Sequence, residues 1–179
     1  MLIQIDKLKR RPRRIEIDEQ ATGFTFLGEL IDQGTIVFKD TIHGTLTATW
    51  VGKIIEVAGN LETTVTSLCG RCLKPVVSPL HVQLLLCYSD LVNDETNVVE
   101  DLEVQGEELG LITYSGTEID LRPDIEQEII MALPQQLLCG DGCKGLCPVC
   151  GIDLNQGHCT CDPPVFHAGL AALKSFRVE

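Results

Sequence analysis

The sequence has no run of 18 consecutive apolar residues, so it offers no helical membrane span. No apolar stretch or small-residue cleavage site follows the charged opening MLIQIDKLKRRPRR, so it does not read as a secretory signal. A cytoplasmic protein is expected, in a compartment that keeps thiols reduced. Glycine-rich phosphate loops, Walker sequences and nucleophile elbows are also lacking. The four histidines, His43, His81, His158 and His167, are scattered and sit in no catalytic frame. Positive charge is scarce, with 14 Lys and Arg against 26 Asp and Glu, for a net charge of −12. A chain this acidic repels bare nucleic acid and anionic membranes at long range.

The charge that is present is unevenly placed. Residues 1–14 carry six basic side chains against Asp6, a local +5, which leaves −17 for the remainder. Residues 90–128 carry thirteen acids and only Arg122, a local −12. The basic run Lys9, Arg10, Arg11, Arg13 and Arg14, with Lys7 beside it, is a candidate RNA contact. Arg71 and Lys74 are further candidates, and the acidic stretch could face a basic protein. Against both readings stands the plain one, in which charged blocks are solvated surface.

At 179 residues the chain can bury a real core, so its nine cysteines are not needed to rescue a small fold. Six of them fall within 139–161, CGDGCKGLCPVCGIDLNQGHCTC. The full count of nine is odd and the expected compartment reducing, which argues against a disulfide framework. Cys147-Pro-Val-Cys150-Gly151 has the form of a zinc knuckle, and Cys69-Gly-Arg-Cys72 supplies a second pair upstream. Eight cysteines suit one or two structural zinc sites of four thiolates each. The favoured division places Cys147, Cys150, Cys159 and Cys161 in one site and Cys69, Cys72, Cys139 and Cys143 in the other. Mixing Cys69 and Cys72 with Cys147 and Cys150 is an alternative, as is His158 replacing a thiolate. Cys87, within VQLLLCY, reads as a small buried hydrophobe. A redox pair at Cys69 and Cys72 has no thioredoxin-like βαβ pattern around it, and the spacings do not match iron–sulfur ferredoxins. Four-thiolate zinc is a poor Lewis acid, so no catalytic residues and no enzyme activity are expected.

Most of residues 1–86 read as short strands. His43–Trp50 (HGTLTATW) alternates apolar and polar residues. Ile54–Val57 and Leu61–Leu68 read as a hairpin turning at Ala58-Gly59-Asn60. Val82–Tyr88 is apolar enough to be covered on both faces. Residues 89–117 read as an acidic loop with one short strand. Asp120 is a candidate N-cap for a helix in which Ile125, Ile129, Ile130 and Leu133 recur at helical spacing before Pro134. Ala168–Phe176 reads as a closing helix. The fold class expected is α+β: an antiparallel sheet or meander packed on a helix, with a cysteine-rich zinc-binding C-terminal segment. The organisation expected is a body over 1–134, with an acidic insertion near 90–117, and a zinc-binding segment with a short helix over 135–179.

Five stretches in series resemble a known family: Cys69-Gly-Arg-Cys72-Leu73, Glu118-Ile-Asp-Leu121, Glu128-Ile-Ile-Met-Ala-Leu-Pro134, Cys143-Lys-Gly-Leu-Cys-Pro-Val-Cys-Gly151 and Asp153-Leu-Asn155. Together they look like the YceD family of large ribosomal RNA subunit accumulation proteins, found in bacteria and plastids. The tail Leu170–Phe176 after Asp162-Pro163 is also similar. The likeness runs from about residue 35 onward and leaves out the basic run. It implies a non-enzymatic role in accumulation or processing of the large-subunit ribosomal RNA. The partner would be the RNA precursor or a basic ribosomal protein, with no membrane and no small-molecule substrate. Two other functions fit the residues: a thiol redox protein using Cys69 and Cys72, and a zinc-ribbon adaptor of another complex.

Overall fold

The computed structural model describes residues 1–90 and 110–162. Most of the acidic insertion and the expected helix Ala168–Phe176 lie outside the described residues, as does His167. Two units emerge from the contacts. The first takes 1–67 and 77–135, and the second takes 68–76 and 136 onward.

The first unit is α+β. Strand β1 (Leu2–Gln4) leads into a short helix α1 (Ile5–Leu8), then β2 (Arg13–Glu19). A 3-10 turn (Ala21–Gly23) precedes helix α2 (Thr25–Asp32). Strands β3 (Val37–Phe38), β4 (Ile42–Val51), β5 (Ile54–Leu68) and β6 (Pro75–Asp90) follow. After them come β7 (Leu111–Tyr114), β8 (Glu118–Asp120) and helix α3 (Arg122–Ala132). The main sheet has the order β2-β4-β5-β6-β7, with β3 also on β5, and β1 pairs separately with β8. Strand β4 is antiparallel to both β2 and β5, as its alternating pattern suggests. Strand β7 joins β6 in parallel, an arrangement outside the expected meander.

Alternation decides what is buried. Leu46 and Ala48 of β4, Ile55, Val57, Leu61 and Val65 of β5, and Val82, Leu84, Leu86 and Tyr88 of β6 all face the core. Phe24, Leu27, Ile125 and Ile129 complete it from the helices and the turn before α2. Fully burying one such side chain contributes about 1.5–3 kcal/mol. Around Gln83 and Leu85, which are exposed, strand β6 is covered on one face only, while Ser89 near its end is buried. The same alternation leaves Cys87 half-buried rather than sealed in the core.

Gly59 marks no turn. Strand β5 runs unbroken through it, and Gly59 pairs with Leu46 while Gly44 pairs with Leu61. A Cβ on Gly59 would lie 2.1 Å from the Thr45 carbonyl oxygen, so the glycine serves close strand approach. The chain turns instead at Gly52-Lys53, where Val51 pairs with Ile54 and Gly52 has φ +61°. That conformation is open to glycine at little cost. The Trp50 Nε1–H donates to the Gly52 carbonyl at 2.8 Å and closes the turn.

Helices α1 and α2 replace strands expected in the first third of the chain. In α3, Leu121 occupies the N-cap position, and Asp120 contributes by accepting the Arg122 N–H at 3.1 Å. Arg122 then pairs with Glu19 at 2.8 Å, donates to the Gly23 carbonyl at 2.7 Å and lies 5.1 Å from the centre of the Phe24 ring. Tyr88 Oη donates to Asp124 at 2.6 Å and links β6 to α3. Burial, then the Asp124 carboxylate, drives the Tyr88 phenol far above its ordinary pKa. Among the described residues, no helix is long and apolar enough to cross a membrane.

Candidate metal centres

The chain leaves β5 at Leu68, makes a tight turn and rejoins β6 at Pro75. The turn belongs to the second unit. Its backbone is fixed by two hydrogen bonds, Leu73 N–H to the Cys69 carbonyl at 3.0 Å and Cys69 N–H to the Lys74 carbonyl at 2.8 Å. The same pair recurs around Cys147: Gly151 N–H to the Cys147 carbonyl and Cys147 N–H to the Ile152 carbonyl, both at 2.9 Å. The two CxxC turns are therefore the same structure, with Leu73 standing where the second has Gly151. Both residues have positive φ, +58° for Leu73 and +74° for Gly151. Glycine takes that conformation freely, and leucine pays roughly 1–2 kcal/mol for it. Leu73 is also exposed.

These turns aim their sulfurs into two groups. Cys69, Cys72, Cys139 and Cys143 form one tetrad, and Cys147, Cys150, Cys159 and Cys161 the other. Within each, the sulfurs lie within 4.8 Å of one another. The Cys69–Cys143 and Cys72–Cys139 sulfur pairs are 3.9 and 3.5 Å apart. Four thiolates at about 2.3 Å from a tetrahedral zinc would be about 3.8 Å from each other. The spacing fits a shared ion, and every cysteine is a free thiol. Either tetrad could hold a metal ion. His158 and Cys87 belong to neither group.

The electrostatics fit a cation as well. Backbone N–H groups of Cys72, Arg71 and Cys139 point at Cys69 and lower its pKa to about 6. The N–H groups of Cys150 and Val149 do the same for Cys147, again to about 6. In each tetrad another thiol is pushed the opposite way. Cys139 rises to about 12 beside Cys143 and Cys72, and Cys161 to about 12 beside Cys150. Clustered thiols resist full ionisation because like charges repel, and a divalent cation removes that repulsion.

The two centres differ in their surroundings. The first is the more buried: only Cys139 is exposed, and Val76, Leu138 and Leu146 pack around it. Asn155 Nδ2 donates to the Cys143 sulfur at 3.5 Å and to Asp153 at 2.7 Å. Asp153 in turn pairs with Lys74 at 2.7 Å, and this holds its carboxyl below the usual range. Arg71 donates to the carbonyls of Cys143 and Asp141 at 3.0 and 3.3 Å. Such outer contacts orient ligands. Asn155, Asp153, Lys74 and Arg71 are thus tied into the frame of the first centre. Asp153 and Asn155 could be singled out from sequence only as part of the family series, and nothing in their spacing announced this role. In the second centre Cys150 and Cys161 are exposed, and Val149 N–H donates to the Cys147 sulfur at 3.4 Å.

The basic candidates Lys7, Lys9, Arg10, Arg11, Arg13 and Arg14 are all exposed in the first unit. They are no loose arm. Ile5 and Leu8 of α1 are buried, and β2 pairs Arg13 and Arg14 with Ala48 and Thr47.

A family model for the large ribosomal RNA subunit accumulation protein YceD matches residues 57–177. An uncharacterized protein of Mycobacterium bovis is 34% identical over 170 residues, 88% of this chain and 73% of its own length. A maize protein named large ribosomal RNA subunit accumulation protein YCED homolog 1, chloroplastic, is 28% identical over 141 residues, 67% of this chain and 48% of its own length. No solved structure matches. The matched region contains both CxxC turns and all eight tetrad cysteines, and the chain belongs to the YceD family.

Proposed function

We propose that the protein is a non-enzymatic, zinc-stabilised factor of large ribosomal subunit biogenesis that supports accumulation and processing of the large-subunit RNA by binding. The observation that carries this reading is the pair of four-cysteine centres within a chain of this family. Zinc is the metal because all-thiolate tetrahedral sites at these spacings suit it and do not match ferredoxin clusters. The eight ligands are Cys69, Cys72, Cys139, Cys143, Cys147, Cys150, Cys159 and Cys161. Their role is to hold the second unit folded, since its described residues in 136–162 have little regular structure of their own. The protein works in the cytoplasm on a large-subunit RNA precursor or on a basic ribosomal protein.

Two measurements test the reading. Protein purified without chelator should carry two equivalents of zinc. Less than half an equivalent, together with a reversible Cys69–Cys72 disulfide, would favour a thiol redox protein instead. Depletion in cells should lower the large-subunit RNA relative to the small, and unchanged ribosome profiles would remove the biogenesis role.

A further inference from the structure

We propose that Lys7, Arg11, Arg13 and Arg14 form a site for the phosphodiester backbone of single-stranded RNA on the first unit. The choice of RNA among polyanions rests on the function proposed above. The site itself rests on geometry.

Those four cations, with Pro12, line one surface depression of about 420 Å³. Lys7, Arg11 and Arg13 form no ion pair among the described residues. Arg14 is partly neutralised by Glu16 at 3.7 Å and steadied by a bond to Thr45 Oγ1 at 3.3 Å. Asp6 is directed to Lys9, at 3.7 Å, and Lys9 lies 5.3 Å from the centre of the Trp50 ring. Like charges held together repel, and a bound anion relieves that repulsion. The mounting is ordered: α1 is anchored by buried Ile5 and Leu8, and β2 by its ladder to β4. Binding then loses little backbone freedom.

The depression accommodates a short run of phosphates, not a long duplex. Double helices carry one charge per roughly 1.7 Å of axis. A chain of net −12 would repel that density over most of its surface. A flexible single strand can lay a few phosphates on the basic patch and keep the rest away.

The test uses the full-length zinc-loaded protein and a fluorescein-labelled oligouridylate, with anisotropy read across a salt series. Four neutralised phosphates give a slope of about −3 in log affinity against log salt, so a fourfold rise in salt weakens binding roughly 50-fold. The variant K7Q/R11Q/R13Q/R14Q should lose about tenfold or more at low salt and most of its slope. The control K39Q/K53Q should stay within about twofold. Equal affinity and slope in parent and quadruple variant overturn the site, as does an equal loss in the control. Polyglutamate binding as tightly as the oligouridylate overturns the choice of RNA and makes the patch a protein contact. Zinc content and melting temperature report folding. Should the quadruple variant misfold, K7Q/R11Q, which leaves β2 intact, decides with an expected loss of about threefold, and parent-like binding overturns the site. In depleted cells, rescue of large-subunit RNA by the quadruple variant rejects the site and leaves the biogenesis role standing. Unchanged RNA on depletion itself rejects that role whatever the oligonucleotide does.

Discussion

The carboxylate of Glu126 accepts the backbone N–H of Leu27 at 2.8 Å, across 99 positions of sequence. Leu27 is the third residue of α2, whose N-cap position holds Phe24 and offers no side-chain acceptor. The first N–H groups of a helix have no partner within it. A buried glutamate on α3 thus caps α2. Glu126→Ala should cost about 1–3 kcal/mol by stranding a buried donor, and Glu126→Gln, which keeps an acceptor, clearly less. Denaturant titration of the two variants checks this, and equal losses would show that packing alone is at stake.

The equivalence of Leu73 and Gly151 predicts opposite outcomes for two swaps. Leu73→Gly should be neutral or stabilise by up to about 1 kcal/mol, since the backbone strain is relieved and the side chain is exposed. Gly151→Leu should destabilise by about 1–2 kcal/mol. Melting of the zinc-loaded variants separates them, with metal content checked alongside.

Removing a ligand should act on its own centre. Cys150→Ser should reduce zinc from two equivalents to one and open the second centre to protease, while Cys143→Ser should open the first. Structural zinc contributes roughly 10–16 kcal/mol of apparent binding energy in small modules, so partial loosening is not expected. Elemental analysis and limited proteolysis give the readout, and full zinc content in either variant would exclude that cysteine as a ligand.

Acid should release the metal. Backbone N–H groups hold the pKa of the metal-free Cys69 and Cys147 thiols at about 6, below the ordinary thiol range. A lowered pKa contributes stability that is complete above the unfolded value and lost as pH falls through the folded one. Thiolate absorbance of the metal-free protein should therefore persist at neutral pH and fade as pH drops through about 6, and bound metal, which keeps its thiolates deprotonated, should be held to lower pH still. Ultraviolet thiolate absorbance across that window, beside a chelator-dye titration of the loaded protein, measures both, and a metal-free protein with no thiolate at pH 7 would overturn the lowered values.

Glycine at the β4–β5 crossing should be irreplaceable. Gly59→Ala would place Cβ 2.1 Å from the Thr45 carbonyl oxygen, and Gly44→Ala would do the same against Asn60. Both neighbours are backbone, so relief requires the strands to part. A loss of more than about 2 kcal/mol is expected in each case by thermal denaturation.

Local pattern made some of this legible and hid the rest. The alternation in His43–Trp50 announced β4, and the isoleucines of α3 announced their buried face. The cysteine pairs suggested the two tetrads, the second from one local stretch and the first only as the remaining four, with a mixed division left open. Gly59 was misread because a glycine inside a strand and a glycine at a turn look alike in one sequence. Helix α2 was missed because Gly28 interrupts it and its cap comes from Glu126, a non-local partner. The parallel placement of β7 depends on how the chain crosses over, which no short window records.

The first tetrad draws its cysteines from two stretches of the chain, Cys69 and Cys72 and then Cys139 and Cys143. About 70 residues separate the inner members. At roughly 5–20 residues per second of synthesis, that separation is several seconds of translation. The early CxxC turn leaves the ribosome as half a site and waits there with two thiols and no partners. The second centre has no such interval, since its four cysteines emerge almost together. Newly made chains should therefore close the later centre within its own stretch, while the earlier turn stays open until Cys139 and Cys143 arrive. Through that window the unfinished chain is at its most vulnerable to oxidation and to capture of the wrong metal.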